Sequence, residues 1–433
     1  MALGGDTFSV QNKVIPGAYI NFVSAASADV SLSGRGIATM PLVLDWGAEG
    51  KVIEVTGDDF KNRSQKIFGY HYTHPKMKGL RDLFRNVELL YAYRLNGGGE
   101  KASNAFATAL YSGVRGNDLK IIIQKNVDDD TMFDVKTMLD TALVDEQTVK
   151  TAADLKENGF VEFKKDAELA VTAATPLSGG TNQETDGAAH QAYLDKMEGY
   201  CFNAMGVETT DDTVKALYTA FTERMREEMG IKFQTVLYQK DADYYGVVNV
   251  ENKVLDAGEA SLVYWVTGVI AGCQVNRSNQ NRIYDGEFQV KTEMTQSQLA
   301  KSMKEGKFTF HRVGSDVRVL ADINSMVNET ETIGEVFKEN QTIRVIDQIA
   351  NDIAVLFNTR YLGVVPNDNA GRISFWSDLV QHHKKLNDIR AIEGFEDSDI
   401  TVSQGDSKKS VVVTDAVTVV NAMDKLYMTC VVS

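Results

Sequence analysis

The sequence predicts a mixed α/β protein of several domains, with a small β-domain inserted into the α/β part. Helix and strand signals alternate over residues 34–96 and again from residue 183 onward, which is typical of helices packed on a sheet. Residues 97–182 instead contain short strand candidates separated by turn residues, a pattern that predicts a β-sandwich or barrel. A chain of 433 residues is long enough for about two to four domains.

Two composition changes mark the limits of the inserted domain. The run Asn96-Gly97-Gly98-Gly99 predicts a hinge, and residues 176–182 have the composition of a linker. We therefore predict five parts: an N-terminal arm and linker (1–33), an α/β segment (34–96), the inserted β-sandwich (97–182), an α/β core (183–330) and a C-terminal domain with a terminal exchange strand (331–433).

Apolar residues that recur at helical spacing predict the helices. They are expected at residues 58–68, 76–86, 187–197, 213–229, 260–272, 297–305, 340–362 and 373–386. Asp58 or Asp59 is the expected N-cap of the first helix. Asp211 or Asp212 is the expected N-cap of the fourth, which Gly230 should end.

Runs rich in β-branched and aromatic residues predict the strands. They are expected at residues 18–23, 36–44, 88–95, 105–111, 119–126, 131–139, 141–149, 161–164, 170–174, 233–238, 247–250, 307–312, 317–321, 392–395, 400–403, 411–413 and 426–432. The turn residues Gly314-Ser315 and the run 404–407 each predict a hairpin between the strands that flank them.

The last of these strands has an unusual composition for a chain end, because termini are normally polar and frayed. Its apolar residues, which follow Lys425 with no further charged side chain, are Leu426, Tyr427, Met428, Val431 and Val432. An unpaired strand of this kind would adhere to any available sheet edge. It must therefore pair either with a sheet of its own molecule or with a sheet in another copy.

The first strand candidate poses the same question. It contains Tyr19, Ile20, Phe22 and Val23, and a Ser/Ala-rich link over residues 24–33 separates it from the next element. A detachable strand at each end of the chain is the arrangement expected if subunits lend their ends to neighbours. Pairing within one molecule remains the alternative.

Composition excludes several classes of function. The formal net charge of −15 disfavours a general binder of nucleic acid or of anionic membranes. No apolar run approaches the roughly 20 residues of a membrane span, and no secretory signal is expected. Cys201, Cys273 and Cys430 lie far apart among apolar neighbours, which predicts buried, reduced thiols.

Several short motifs resemble ligand sites without completing one. The Gly97–Gly99 run lacks the second glycine and the Gly-Lys-Ser/Thr order of a phosphate loop. His71 and His74 have no nearby carboxylate or cysteine for a metal set, and surface histidines are the better interpretation. Asp128–Asp130 lacks the spaced ligands of a calcium loop.

The candidates for catalysis are equally incomplete. Cys201 follows His190 without a third group, and the adjacent His382 and His383 cannot share one helix face. We therefore predict no catalytic residues, no metal and no cofactor, and hence a protein that is not an enzyme.

One basic stretch stands out in this acidic chain. It comprises His382, His383, Lys384, Lys385 and Arg390. It is either a solvated helix face or a docking surface for an acidic partner.

A series of packing and backbone motifs resembles one protein family. The segments are Phe202–Val207, Glu223–Gly230, Gly246–Val250, Val269–Gly272, Val319–Ser325, Arg344–Ile353, Tyr361–Gly363 with Asn367, and Ala422–Tyr427. In order and number they resemble the contractile tail sheath proteins of phages and phage-tail-like bacteriocins, in the form common to Gram-positive hosts. The resemblance covers most of the chain from Asp186 onward, and the inserted β-domain matches in position and type.

The resemblance implies a structural subunit that polymerises as a helical sheath around an inner tail tube and contracts to drive the tube through a target cell envelope. Implied partners are further copies of the chain, the tube protein, and baseplate and terminator proteins. The implied location is a virion or tail-like particle, assembled in the host cytoplasm and released by lysis. By analogy the C-terminal domain faces the tube, which makes His382, Lys384, Lys385 and Arg390 candidate tube contacts. The alternatives are another tail component, such as a tube or terminator protein, and an α/β enzyme with a β lid.

Overall fold

The computed structural model describes residues 32–432, so the predicted strand with Tyr19, Ile20, Phe22 and Val23 lies outside the described residues. The described chain forms two compact units. The insert-bearing unit comprises Thr39–Phe84 and Glu88–Glu198. The C-terminal unit comprises residues 32–38, Arg85–Val87 and the chain from Gly199 onward.

The first part of the insert-bearing unit combines three strands, of which β1 contributes residues 39–42, with two helices. Its elements are β1 (Ile37–Leu42), β2 (Val52–Thr56), α1 (Gly57–Phe68), α2 (Lys78–Leu83) and β3 (Leu89–Arg94). Strand β3 lies between β1 and β2 and pairs antiparallel with β2. The N-cap of α1 is Thr56, which forms a capping box with Asp59, so the prediction of an aspartate cap was wrong. The aspartate instead fills the third helical position.

The inserted domain is a β-structure, as predicted. Its strands are β4 (Ala107–Ala109), β5 (Leu119–Lys125), β6 (Phe133–Leu139), β7 (Ala142–Val149), β8 (Val161–Phe163) and β9 (Thr172–Pro176). A four-stranded sheet has the order β7-β6-β5-β9, and β4 pairs with β8. Alternate residues of β5 are buried in the core of the domain because successive side chains point to opposite faces. Helix α3 (Gly187–Met197) follows this domain.

A parallel sheet forms the centre of the C-terminal unit. Strands β10 (Ala204–Gly206), β11 (Gln234–Tyr238), β12 (Val247–Val250) and β13 (Lys307–Phe308) are neighbours in that order, and their pairs are parallel. Every residue of β10, β11 and β12 is buried, as expected for strands covered on both faces. Helices α4 (Asp212–Glu227) and α5 (Leu262–Gly272) pack on this sheet. Asp211 is the N-cap of α4, as predicted.

Close packing of α5 on the sheet depends on a glycine. A Cβ atom at Gly206 would lie 2.1 Å from Oγ1 of Thr267, so only glycine fits there. After α5 come α6 (Gln296–Lys304) and the hairpin of β14 (Phe310–Val313) with β15 (Asp316–Val319). The single strand predicted over residues 307–312 is therefore two strands, because β13 pairs with β12 whereas β14 turns to pair with β15.

The last part of the C-terminal unit contains two long helices and two small sheets. Its elements are α7 (Asn340–Leu356), α8 (Asn369–Asp388), β16 (Ile392–Glu393), β17 (Ile400–Gln404), β18 (Val411–Asp415) and β19 (Thr418–Val419). The helix predicted to reach residue 362 leaves α-helical geometry at Leu356 and ends in a π-helical turn, Phe357–Tyr361. Helix α8 begins four residues earlier than predicted because Asp368 caps it.

Burial of the cysteines differs from the prediction. All are free, but only Cys273 is buried. Cys201 follows α3 on the surface, and Cys430 lies in an exposed terminal segment, so an apolar sequence neighbourhood was a poor guide to burial. No helix within residues 32–432 is long and apolar enough to cross a membrane.

Candidate functional site

The last described residues form an exposed segment without regular secondary structure, which we call the C-terminal arm (residues 425–432). Leu426, Tyr427, Met428, Val431 and Val432 are between 79% and 89% exposed. No residue of the arm belongs to a strand, and residues 426–432 form no hydrogen bond with the rest of residues 32–432. Contiguous exposed apolar side chains are typical of protein interaction sites. The arm is thus an apolar segment that lacks a partner among the described residues of its own molecule.

The arm leaves the unit from a fixed point, the C-terminal root (residues 420–424). The backbone N–H of Val420 donates to Ala391 O at 3.0 Å. The side-chain amide of Gln341 donates to Val420 O at 2.9 Å, and its oxygen accepts from the N–H of Ala422 at 3.1 Å. Gln280 donates to the carboxylate of Asp424. These contacts hold the root against α7 and the chain that follows α5.

The described chain begins at a second fixed point, the N-terminal root (residues 32–36). The N–H of Ser33 donates to the carboxylate of Asp352 at 3.4 Å, and Gln348 donates to Ser33 Oγ at 2.6 Å. The guanidinium of Arg35 donates to Cys273 O at 2.9 Å and to Ile270 O at 3.1 Å, where it satisfies carbonyl groups at the end of α5. Both roots are therefore held by hydrogen bonds within the C-terminal unit.

Two small sheets offer edges on which an extra strand could be placed. Strand β17 pairs with β18 from Gln404↔Val411 to Ile400↔Asp415, and β16 pairs with β19. Each is a two-stranded sheet within the described chain. Sheets of two strands are marginal alone, and unpaired edges are templates for a strand from elsewhere.

The predicted basic stretch does not form one surface. His382 and His383 are buried, so reading them as part of a solvated face was wrong. The Nε2 atom of His382 lies 3.0 Å from Asp352, and that of His383 lies 3.0 Å from Asp415. Both carboxylate partners come from other elements. The local sequence, a run of basic residues, therefore gave no indication that the two histidines are buried in the core.

The remaining cations of that stretch lie at different places. Lys384 is exposed and pairs with Asp397 at 2.8 Å, and the neighbouring Lys385 is half-buried. Arg390 is exposed, has a positive φ of 60°, and lines a groove of about 930 Å³ together with Asp424 of the C-terminal root. The structure thus keeps Lys384 and Lys385 together but places Arg390 beside the exit of the arm.

Burial and charge shift several pKa values at the two roots. Burial alone would raise the pKa of Asp352, but hydrogen bonds from His382, Gln348 and Ser33 outweigh it and lower that pKa. Burial lowers the pKa of Arg35 to about 10. Burial, followed by repulsion from Asp322 and Asp424, raises the pKa of Glu339 to about 7.

The ligand-like motifs have ordinary local roles. The N–H of Gly98 donates to Glu49, and Asp129 accepts from the N–H and hydroxyl of Thr131 within a turn. His71 is exposed and contacts Thr73. Among the described residues no three His, Cys, Asp or Glu side chains are grouped so that they could hold a metal ion.

Sequence reasoning missed the side chains that hold the roots. Gln341, Gln348 and Asp352 follow one another at spacings of seven and four residues, which places them on one helix face. Polar residues at core spacing were the available signal. Their bonding partners could not be read from the sequence, because Ser33 and Val420 are far away along the chain.

Four sequence models of protein families match the chain in succession. They are described as the tail sheath protein Gp18 domain III N-terminal region (residues 35–95), the phage tail sheath protein beta-sandwich domain (96–182), the phage tail sheath protein central domain (183–325) and the phage tail sheath C-terminal domain (332–433).

Similar proteins extend over almost the whole chain. The phage-like element PBSX protein XkdK of Bacillus subtilis is 30% identical, over 98% of this chain and 99% of its own. The crystal structure of a sheath tail protein from Desulfitobacterium hafniense is 35% identical with a TM-score of 0.79, covering 90% of this chain and 93% of that one. A sheath tail protein from Listeria innocua is 28% identical with a TM-score of 0.78, covering 92% and 95%. The helical sheath of the anti-feeding prophage in its contracted state shares the fold at 11% identity, with a TM-score of 0.56 and coverage of 97% and 99%.

Proposed function

Because the chain belongs to the phage tail sheath protein family, it is a structural subunit of a contractile sheath, and we propose that it polymerises as a helical cylinder around an inner tail tube. Contraction of the cylinder drives the tube through a target cell envelope. The particle is a virion or a phage-tail-like particle, assembled in the host cytoplasm and released by lysis. The further partners are baseplate and terminator proteins, and the subunit performs no catalysis.

The single observation that carries the assembly mechanism is the exposed C-terminal arm. Its apolar residues are of types that suit a strand, yet none of them belongs to a sheet within residues 32–432. They are Leu426, Tyr427, Met428, Val431 and Val432, and all are exposed. The β17–β18 and β16–β19 sheets each contain two strands within the described chain, and the unpaired backbone groups of such edges can accept a further strand. The arm of one subunit therefore adds to a small sheet of the next.

The N-terminal segment has the same role. The strand predicted over Tyr19, Ile20, Phe22 and Val23 precedes the N-terminal root in sequence, and we propose that it joins a sheet of another neighbour. Each backbone hydrogen bond contributes about 0.5–1.5 kcal/mol net, so several per arm keep subunits linked while their bodies move.

Lys384 and Lys385 are the proposed contacts to the tube, because they are adjacent cations in a chain of formal net charge −15. His382 takes no direct part in this contact because its imidazole is buried against Asp352. Arg390 belongs with the groove beside the C-terminal root rather than with the lysine pair.

Removal of residues 426–433 tests the arm. We expect a chain that unfolds at nearly the same temperature as the full-length protein, since residues 426–432 are exposed within the described chain, but that sediments as small species. The full-length chain should form long hollow cylinders in negative-stain micrographs. Cylinders of ordinary length from the truncated chain would refute the arm mechanism.

Proline substitutions provide a finer test with matched controls. Strand addition uses backbone N–H groups that alternate in direction, so Cys430→Pro and Val431→Pro together probe both sides of the arm. At least one of them should reduce the fraction of protein in cylinders several-fold, because a proline has no donor. Cys430→Ser and Val431→Thr keep the N–H group and should assemble like the unmodified chain.

A further inference from the structure

Helix α7 carries buried polar side chains on a face that would ordinarily be apolar. Gln341 is 4% exposed, Gln348 is 4% exposed and Asp352 is 8% exposed. At 3.6 residues per turn, spacings of seven and four place all of them on one side of the helix. Burial of a polar group destabilises a protein unless hydrogen bonds compensate, so these residues require partners.

The C-terminal root supplies the partner at one end of this face. Gln341 bonds to the backbone on both sides of residue 421, as donor to Val420 O and as acceptor from Ala422 N–H. A side-chain amide thereby replaces the neighbouring strand that an extended segment would otherwise pair with. Thr342 and the side chain of Asn421 add a contact of 3.2 Å.

The N-terminal root supplies the partners two turns further along. Gln348 donates to Ser33 Oγ at 2.6 Å and to Asp352 at 2.8 Å. Asp352 accepts from the N–H of Ser33, and His382 buttresses the same carboxylate at 3.0 Å. Seven residues of α-helix, with a rise of about 10 Å, thus join two roots that lie almost the whole described chain apart in sequence.

We propose that α7 carries tensile force between the two arms of the subunit. The force passes from the C-terminal arm to the N-terminal arm through Gln341 and the Gln348–Asp352 pair. We call α7 the strut in this role. This inference rests on the proposed exchange of arms between subunits. A helix suits the task because its backbone hydrogen bonds all lie along its axis. Two buried ion pairs fix the strut laterally: Asp347 with Arg226 at 2.7 Å and Arg344 with Asp322 at 3.1 Å.

The same helix offers a matched control. Asn351 also bonds to both backbone groups of one residue, accepting from the N–H of Lys232 at 3.2 Å and donating to its carbonyl at 2.8 Å. Lys232 belongs to the body of the unit and not to a root. Asn351→Leu therefore removes similar hydrogen bonds from α7 without loosening an arm, whereas Gln341→Met and Gln348→Met loosen one root each.

Hydrogen exchange of the purified full-length subunit tests the anchoring. In Gln341→Met we expect the amide of Ala422 to exchange about tenfold faster than in the unmodified chain, because its acceptor is lost. Asn351→Leu should leave that amide unchanged. Equal exchange of Ala422 in Gln341→Met and the unmodified chain would overturn the assignment of Gln341 as an anchor.

Contraction of assembled sheaths tests the load. Cylinders of each variant are triggered to contract, and broken cylinders are counted in micrographs. Gln341→Met and Gln348→Met should break several-fold more often than the unmodified sheath and Asn351→Leu. Cylinders that contract intact in all variants would refute the strut while leaving the exchange of arms untouched. Failure of the unmodified chain to form any cylinder would instead count against the proposed function.

Discussion

Glu339, the residue that precedes α7, is the clearest titrating group near the arms. Burial is the main reason that its pKa rises to about 7 from an ordinary value of 4.5, and repulsion from Asp322, Asp424 and Glu335 adds to the effect. Lys425 opposes the rise. A carboxyl group with a raised pKa in the folded state is destabilising once it ionises.

The sign of the pH dependence follows directly. Between pH 4.5 and about 7 the unfolded chain has released the proton of Glu339 while the folded chain retains it, so the free energy of unfolding falls as pH rises. Glu339→Gln removes this loss. We expect it to raise the free energy of unfolding by about 1–2 kcal/mol at pH 8, after a discount for partial solvent exposure, with no gain at pH 4.

Urea unfolding at both pH values measures this effect. Glu331→Gln is the control, because it removes the same charge from an exposed position in the preceding loop. An equal gain from both variants at pH 8 would show that net charge, and not the site of Glu339, is responsible.

The burial of His382 and His383 could not be predicted from the residue types around them. The sequence placed His382 and His383 in a basic run, and the helix around them was predicted with its C-terminal end two residues short. Their burial depends on Asp352 and Asp415, which the chain brings to them from α7 and β18. A local run of charged residues contains no information about partners that are distant in the sequence.

At the scale of elements, Trp46 belongs to the α/β segment in sequence but packs in the core of the inserted β-domain. It is buried in the core of the inserted β-domain, with its ring 5.2 Å from that of Tyr111 and 6.4 Å from that of Phe160. Its indole N–H donates to Lys66 O at 3.0 Å. The core of the insert is therefore completed by a residue outside the boundaries 97–182.

Trp46→Ala should lower the free energy of unfolding by about 3–5 kcal/mol, because it leaves a large cavity between the strands. Val43→Ala is the control from the same segment, since Val43 is exposed, and should change it by less than about 0.5 kcal/mol. Chemical denaturation of the full chain gives both values. Similar small losses for the two variants would mean that the insert is complete without the tryptophan.

Elements with strong local signals were predictable, whereas elements that depend on distant chain were not. The sequence placed α3 at residues 187–197, and the structure has Gly187–Met197, because its cap and apolar positions are local. The division of residues 307–313 into β13 and β14 depends on two different partner strands, β12 and β15. The apolar C-terminal arm was visible in the sequence, but the side chains that hold its root were not.

At the scale of the whole molecule, substitution of the lysine pair on α8 tests the proposed contact with a tail tube. The exposed Lys384 pairs with Asp397, so the proposed docking on a tube would compete with an intramolecular contact that solvent weakens. Lys384→Glu with Lys385→Glu should reduce co-sedimentation of sheath with tube several-fold and leave tube-free cylinders intact. Raising the salt concentration should weaken the unmodified contact in the same way.

Lys408→Glu with Lys409→Glu is the matched control, because it makes the same change of charge in the turn of the β17–β18 hairpin. Equal loss of tube in both double variants would indicate a general effect of net charge. Normal docking of the Lys384/Lys385 variant would make that part of α8 a solvated surface.

The exposed C-terminal arm also affects how free subunits associate before they join a particle. Leu426, Tyr427 and Val431 are exposed, so, with the proposed exchange of arms, a newly made copy can adhere to any other copy that it meets. Ordered growth then requires that a correctly shaped starting ring capture copies faster than they capture one another. Concentration and the timing of synthesis, rather than a chemical activation step, would decide between a straight cylinder and an amorphous clump.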